Sequence, residues 1–280
     1  MGTNTLNWTW KSFDRLEMVS RGWAPAGNPK AAIVLVHGLC EHCERYAHVG
    51  AKLAESGYAL LGFDLRGHGR SGGPRGHAPS FESFLKDIDE MLAQASARYP
   101  SVRQFIYGHS LGGVMVLNYV LRRKPALAGA VVTSAALRTA LEDQKAKVAA
   151  VKMLGSLLPS ASVASGLDAA MLSRDHAVVD RYKQDPLVHD RVSFGMGKGV
   201  LSASQWAIDH AGEFSIPLLI MHGTEDRIAF DRGTREFAAK LKQDVTLKLW
   251  EGMYHETHNE PDKEQVFAFL LAWLDDHLKG

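Results

Sequence analysis

The sequence predicts an α/β fold: a mostly parallel sheet of about eight strands flanked by helices, with a helical segment inserted late in the chain. Three observations predict it. A continuous apolar run at 31–36 reads as a buried parallel strand, and further strand-like runs recur along the chain, as at 216–221. Helical patterns separate such runs in a β-α-β-α succession, which calls for parallel pairing through crossover helices. That rhythm breaks between 139 and 212, where Ala, Leu, Met and Ser occur in helical proportions with no convincing buried strand, and then resumes.

Taken in order, 6–10 and 16–23 read as two antiparallel starting strands, and the run 31–36 ends at His37-Gly38. A helix over 44–56 stops at Gly57, a suitable C-terminal glycine. Strand 58–63 enters a glycine-rich stretch, and a helix over 81–98 ends before Pro100. Strand 103–107, helix 111–123 and strand 127–134 complete the first part. After the insertion come strand 216–221, helix 231–241, strand 245–250 and a final helix 262–278. The predicted organisation is therefore core 1–138, helical insertion 139–212 and core 213–280.

Composition excludes several classes. The 280 residues are 46% hydrophobic and 22% charged, as in ordinary globular proteins, and a net charge of +1 gives no electrostatic reason to bind nucleic acid. No apolar run is long enough to span a bilayer. The start, Met1 to Trp8, lacks the basic and apolar regions of a secretory signal, and Leu6 stands where a myristoylation signal wants Ser or Thr. A cytoplasmic location is the expectation. The two cysteines, Cys40 and Cys43, form a C-x-x-C pair, which is half of a four-ligand zinc site and lies in no thioredoxin-like pattern; reduced thiols are expected. The stretch from Arg66 to Gly73 has neither a lysine-serine ending nor a G-x-G-x-x-G register, so it reads as a structural loop and not a nucleotide loop. No metal or organic cofactor is expected.

The chemistry concentrates at Gly108-His109-Ser110-Leu111-Gly112, between a predicted strand and a predicted helix. In that context G-x-S-x-G is a nucleophile elbow, with Ser110 held on a strained turn and the Leu111 N–H aimed at a developing oxyanion. A serine nucleophile needs a base and an acid to orient it, following in chain order acid then histidine, each after a later strand. Asp226, after strand 216–221, and His255, after strand 245–250, fill those places. Glu225 and Asp231 compete as acid; Asp231, beginning a helix, reads better as a cap. His258 competes as base from further along the loop, and His109 reads as a local packing residue. The second oxyanion donor is expected from the turn after 31–36, as the N–H of Leu39, whose side chain is then free to line the acyl pocket.

Five blocks together resemble the monoacylglycerol lipase and lysophospholipase branch of the α/β-hydrolases: 37–46, 63–72, 108–112, 222–226 and 251–255, in order and at matching spacing. The stretch Asp185-Pro186-Leu187-Val188 looks like a motif of the same branch's cap. The resemblance implies Ser110 as nucleophile, Asp226 as acid, His255 as base, the Leu39 and Leu111 N–H groups as oxyanion hole, and a helical cap over a hydrophobic tunnel at 139–212. Leu39 stands where the branch often carries a smaller residue, and cysteines at 40 and 43 are not typical of it; both departures bear on the acyl pocket. The implied activity is ester hydrolysis through an acyl-enzyme, on monoacylglycerols or lysophospholipids. Alternatives are a short-chain carboxylesterase, an acyltransferase or perhydrolase with the same triad, and a binding protein on an inactive fold. The apolar stretch 148–158, with Lys145, Lys147 and Lys152 nearby, suits peripheral contact with a lipid surface or packing on the core.

Overall fold

A computed structural model describes residues 3–242 and 245–279. The reading of Met1-Gly2 lies outside the described residues. Two antiparallel strands, β1 (Asn4–Lys11) and β2 (Glu17–Ala24), open the chain. Then β3 (Ala31–Val36), α1 (Ala47–Glu55), β4 (Ala59–Phe63), α2 (Phe81–Arg98), β5 (Arg103–His109), α3 (Leu111–Arg123) and β6 (Gly129–Thr133) alternate as expected. The resumed part consists of β9 (Leu218–Gly223), α7 (Asp231–Ala238), β10 (Val245–Trp250) and α8 (Lys263–His277), with β7 (Ser162–Ala164) and β8 (Arg191–Ser193) lying in the segment before it. The eight-stranded sheet runs β1-β2-β4-β3-β5-β6-β9-β10, and every pairing from β4 to β10 is parallel.

The reason for this layering is visible residue by residue. Along β3, Ile33 and Leu35 enter one core cluster with Val49 and Leu53 of α1 and Phe267, Leu270 and Trp273 of α8. Val34 and Val36 enter the opposite cluster with Phe84 and Ile88 of α2 and Val114 and Leu117 of α3. Period-two alternation thus feeds both faces, which is why the run is apolar throughout. In α3 every residue from Leu111 to Leu121 is buried. It lies between the sheet and a further helix, and no polar face is needed.

The segment between β6 and β9 contains α4 (Lys145–Leu157), α5 (His176–Gln184) and α6 (Phe194–His210), plus two three-residue strands, β7 (Ser162–Ala164) and β8 (Arg191–Ser193), paired antiparallel. These strands are short and bury only Ser193, so they leave no apolar run for periodicity to detect. Ser193 caps α6, its Oγ accepting from the Met196 N–H at 3.3 Å. Asp231 differs from the sequence reading. Phe230 occupies the cap position of α7, and the Asp231 carboxylate instead accepts from Arg235 one turn on, at 2.8 Å.

Candidate active site

Ser110 joins β5 to α3 with φ 54° and ψ −116°, a conformation that costs of order 1–3 kcal/mol for a residue with a side chain. Close approach explains the flanking glycines. A Cβ on Gly112 would lie 2.0 Å from the Val36 carbonyl oxygen, and one on Gly108 would lie 2.4 Å from the Gly112 carbonyl oxygen. The elbow therefore presses directly against the end of β3, where the Leu39 turn begins.

The structure brings Ser110, His255 and Asp226 together. His255 Nε2 lies 2.9 Å from Ser110 Oγ, and His255 Nδ1 lies 2.6 Å from Asp226 Oδ2. An ionised carboxylate only accepts, so Nδ1 carries the proton and donates to Asp226, and Nε2 is left to accept from the serine hydroxyl. All three are buried. Asp226 is over-determined: Oδ1 accepts from the N–H groups of Ile228 and Ala229 at 2.8 and 3.0 Å, and Oδ2 also accepts from His222 Nε2 at 3.0 Å. Burial opposes its ionisation, yet the charge and hydrogen bonds of His255 and His222 hold its carboxyl well below the usual range. Burial likewise disfavours a charged His255, but the facing Asp226 carboxylate overrides it and lifts the imidazole above its usual value.

Leu39 and Leu111 both border the same cavity as Ser110, and among the described residues no acceptor takes either N–H. The Leu39 turn is stiff. The Gly38 N–H donates to Glu41 Oε1 at 2.6 Å, and Cys40 holds φ 66°. His37 accepts the Leu65 N–H on Nε2 at 2.9 Å, which places its own proton on Nδ1, donated to the Gly38 carbonyl at 2.8 Å. Through this contact the glycine-rich loop braces the turn. That loop is itself anchored by Arg66, buried and paired with Asp87 at 2.7 Å and Asp14 at 2.8 Å.

The competing residues lie apart from the hydroxyl. Glu225 is exposed and faces Arg227 at 3.8 Å. His258 stacks on Tyr46 with ring centroids 4.8 Å apart, neither ring nitrogen has a partner among the described residues, and burial pushes its pKa down to about 3. His109 bonds locally, Nδ1 lying 3.0 Å from Thr133 Oγ1. Both cysteines are buried and free, and burial pushes the Cys40 thiol up to about 12, so at neutral pH it is a protonated, inert thiol.

Sequence reasoning missed a buried ionic network. Arg45 donates to both carboxylate oxygens of Glu256, at 2.6 and 2.8 Å, and to Glu41, whose Oε1 also accepts from Tyr46 at 2.8 Å. The guanidinium stacks 4.8 Å from the ring of Tyr182 in α5. Glu41 and Arg45 sit four apart within one of the resembling blocks, which was the available signal.

Ser110 opens onto a cavity of about 340 Å³ whose walls are mainly aliphatic, including Val151, Val163, Met171, Val200 and Ile228. On its other side lies a pocket of about 10 Å³, bordered by Glu41, Arg45, Glu256 and His255.

A parallel sheet with an elbow serine, a histidine and an aspartate delivered from successive strand ends defines a serine hydrolase of the α/β-hydrolase fold. The family model described as serine aminopeptidase, S33, matches residues 27–262, and the chain belongs to that family. Among curated proteins it is 41% identical over 270 residues to an uncharacterized abhydrolase domain-containing protein of Dictyostelium discoideum, covering 95% of this chain but 28% of that one. It is 34% identical over 258 residues to a monoacylglycerol lipase of Mycolicibacterium smegmatis, covering 91% of this chain and 92% of the relative. Among solved structures, a monoacylglycerol lipase from Paleococcus ferrophilus superposes with a TM-score of 0.84 at 34% identity, over 99% of this chain and 100% of that one. Within its family the chain is a monoacylglycerol-lipase-like carboxylic ester hydrolase. No helix among the described residues is long and apolar enough to cross a membrane.

Proposed function

We propose that this chain hydrolyses glycerolipids bearing one acyl chain, monoacylglycerols or lysophospholipids, through an acyl-enzyme on Ser110. The observation that carries the reading is the hydrogen-bonded run Ser110–His255–Asp226 at the base of an aliphatic cavity. His255 removes the hydroxyl proton as Ser110 attacks the ester carbonyl, and Asp226 stabilises the imidazolium that forms. The N–H groups of Leu39 and Leu111 receive the oxyanion; losing one such donor raises the barrier by about 3–4 kcal/mol. His255 then protonates the departing alcohol, and a water repeats the cycle. The acyl chain occupies the aliphatic cavity because burying each methylene there gains about 0.8 kcal/mol. An aminopeptidase would need a free carboxylate beside the serine for the substrate ammonium. Of the carboxylates bordering the two spaces beside Ser110, Glu41 and Glu256 are held by Arg45, Glu142 accepts from Arg138 at 3.2 Å, and Asp168 Oδ1 accepts the Ala170 N–H at 3.0 Å.

Residues 139–212 act as the cap in this reading, supplying Val163, Met171 and Val200 to the cavity wall. The cap also exposes Met153, Leu157, Leu158 and Val163, beside the exposed Lys145, Lys147 and Lys152, a combination suited to resting on an anionic lipid surface. Co-sedimentation with phosphatidylglycerol vesicles that persists after charge reversal at the three lysines would count against that contact.

The test of the activity is a chain-length series of p-nitrophenyl esters alongside monoacylglycerols, with an aminoacyl p-nitroanilide as peptidase control. Medium or long acyl chains are expected to be preferred, and Ser110→Ala is expected to fold and lose nearly all turnover. A steep preference for acetate or butyrate points to a general carboxylesterase, and undiminished hydrolysis by Ser110→Ala overturns the nucleophile.

A further inference from the structure

We infer that the side chains of Leu39 and Leu167 form a gate across the substrate site, and that Leu39 sets how much bulk the alcohol may carry at the carbon bonded to the ester oxygen. The inference rests on the ester-hydrolase reading and extends it. Among the described residues, three border both the aliphatic cavity and the small polar pocket: Ser110, Leu39 and Leu167. Leu39 belongs to the turn after β3, and Leu167 to the link after β7. An ester attacked by Ser110 straddles the two spaces, acyl chain on the aliphatic side and alcohol on the side of Arg45 and Glu256. The atoms next to the ester oxygen then pass between the two leucines.

The pocket holds about 10 Å³, room for roughly one water, so an alcohol enters only if a wall gives way. The two walls differ in freedom. Leu39 is pinned on both sides, since the Gly38 N–H is held by Glu41 at 2.6 Å and the Cys40 carbonyl accepts from the His189 N–H at 3.2 Å. Its own N–H is the proposed oxyanion donor, so the backbone cannot shift without disturbing that role. Leu167 follows Gly166, which holds φ 72° and has open space for 4 Å around the place a Cβ would take. The Leu167 N–H makes only a local 3.3 Å bond to Ser165 Oγ. Leu167 is the leaf that swings and Leu39 the fixed post. A fixed aliphatic post beside the ester oxygen tolerates a primary alcohol and clashes with branching at that carbon, and it leaves the far end of the acyl chain untouched.

The test holds the acyl group constant and varies the alcohol: ethyl, isopropyl and tert-butyl decanoate, with wild type, Leu39→Ala and Leu167→Ala. Wild type is expected to lose about tenfold or more in kcat/KM on going from ethyl to isopropyl. Leu39→Ala is expected to shrink that ratio by about tenfold, and Leu167→Ala by less, because a swinging leaf is already avoidable. The preference between ethyl hexanoate and ethyl decanoate should stay within about twofold, since one side chain far from the acyl terminus does not alter its burial. If Leu39→Ala fails to fold by circular dichroism, Leu39→Val and Leu167→Ala carry the same comparison. Unchanged alcohol ratios in the folded variants, a shift in acyl-length preference instead, or no discrimination by wild type overturn the gate. Failure to hydrolyse any of these esters overturns the ester-hydrolase reading itself, and so the two failures are distinguishable.

Discussion

Arg45 reaches across 211 residues of chain to grip Glu256, the neighbour of the proposed base, with two hydrogen bonds of 2.6 and 2.8 Å. The same guanidinium binds Glu41, which holds the Gly38 N–H at the start of the oxyanion turn. One cation, only 10% exposed, thus ties together the loops that carry His255 and Leu39. Replacing it with Met leaves two buried carboxylates without a counter-charge, and Arg45→Met is expected to lose about 3–5 kcal/mol in urea unfolding at pH 7. Arg45 holds the Glu256 carboxyl down to about 2 against the penalty of burial, so in wild type this contribution is complete above the unfolded carboxyl's pKa and is lost as pH falls toward 2.

Asp226→Asn tests the acid of the proposed triad. The substituted amide no longer fixes His255 in the tautomer that accepts from Ser110, and kcat should fall on the order of 10³–10⁴-fold. Against the lowering effect of burial, the Asp226 carboxylate lifts the His255 pKa above its usual value, and the base works only when neutral. Wild-type kcat/KM should therefore decline with acid from above the ordinary histidine range. In Asp226→Asn the residual rate should hold to lower pH. A pH–rate profile of both proteins with one p-nitrophenyl ester reads the displacement and its sign.

His258 offers a cleaner stability experiment. Its ring is buried with no hydrogen-bond partner among the described residues, and burial drops its pKa to about 3. Between that value and the ordinary histidine pKa, the unfolded chain binds a proton that the folded chain refuses. Stability should fall as pH drops through this window, by about 1.4 kcal/mol per pH unit from this group. His258→Phe keeps the stack on Tyr46 and removes the titration. Chemical unfolding at several pH values from 4 to 7 should show a shallower slope for the variant and little change at pH 7.

Gly112→Ala probes the elbow. The added methyl would sit 2.0 Å from the Val36 carbonyl oxygen and 2.6 Å from that of His37, both backbone atoms that cannot rotate away. The clash should cost about 1–3 kcal/mol in unfolding and force the end of β3 away from the helix start. Because Leu39 follows directly, kcat should drop with little change in KM. Retained kcat with unchanged stability would show that the elbow and the turn are not in contact.

Much of this molecule was legible in its sequence. The run 31–36 reads as a two-faced strand because each alternate residue feeds a different core, and Ser110 stands out because strand, turn and helix are all local patterns. Asp226 and His255 are found by their place after predicted strands. What could not be read is what distant segments do to one another. The Arg45–Glu256 pair is invisible to periodicity, since neither residue alone signals a partner far along the chain. Strands β7 and β8 escape because three residues carry no hydrophobic pattern, and Asp231 is misread as a cap because Phe230 takes that position.

By itself the sequence determined the order of the elements, the elbow and the residue types able to do acyl-transfer chemistry, since these follow from periodicity, turn chemistry and chain order. Only the tertiary structure decided which side chains meet. It puts His255 within hydrogen-bond reach of Ser110 and of Asp226, stacks His258 on Tyr46, leaves Glu225 exposed, and sets Leu39 and Leu167 beside Ser110 between two unequal spaces. The physical reason is that hydrogen bonding and steric exclusion act over a few ångströms, a distance that chain separation does not measure.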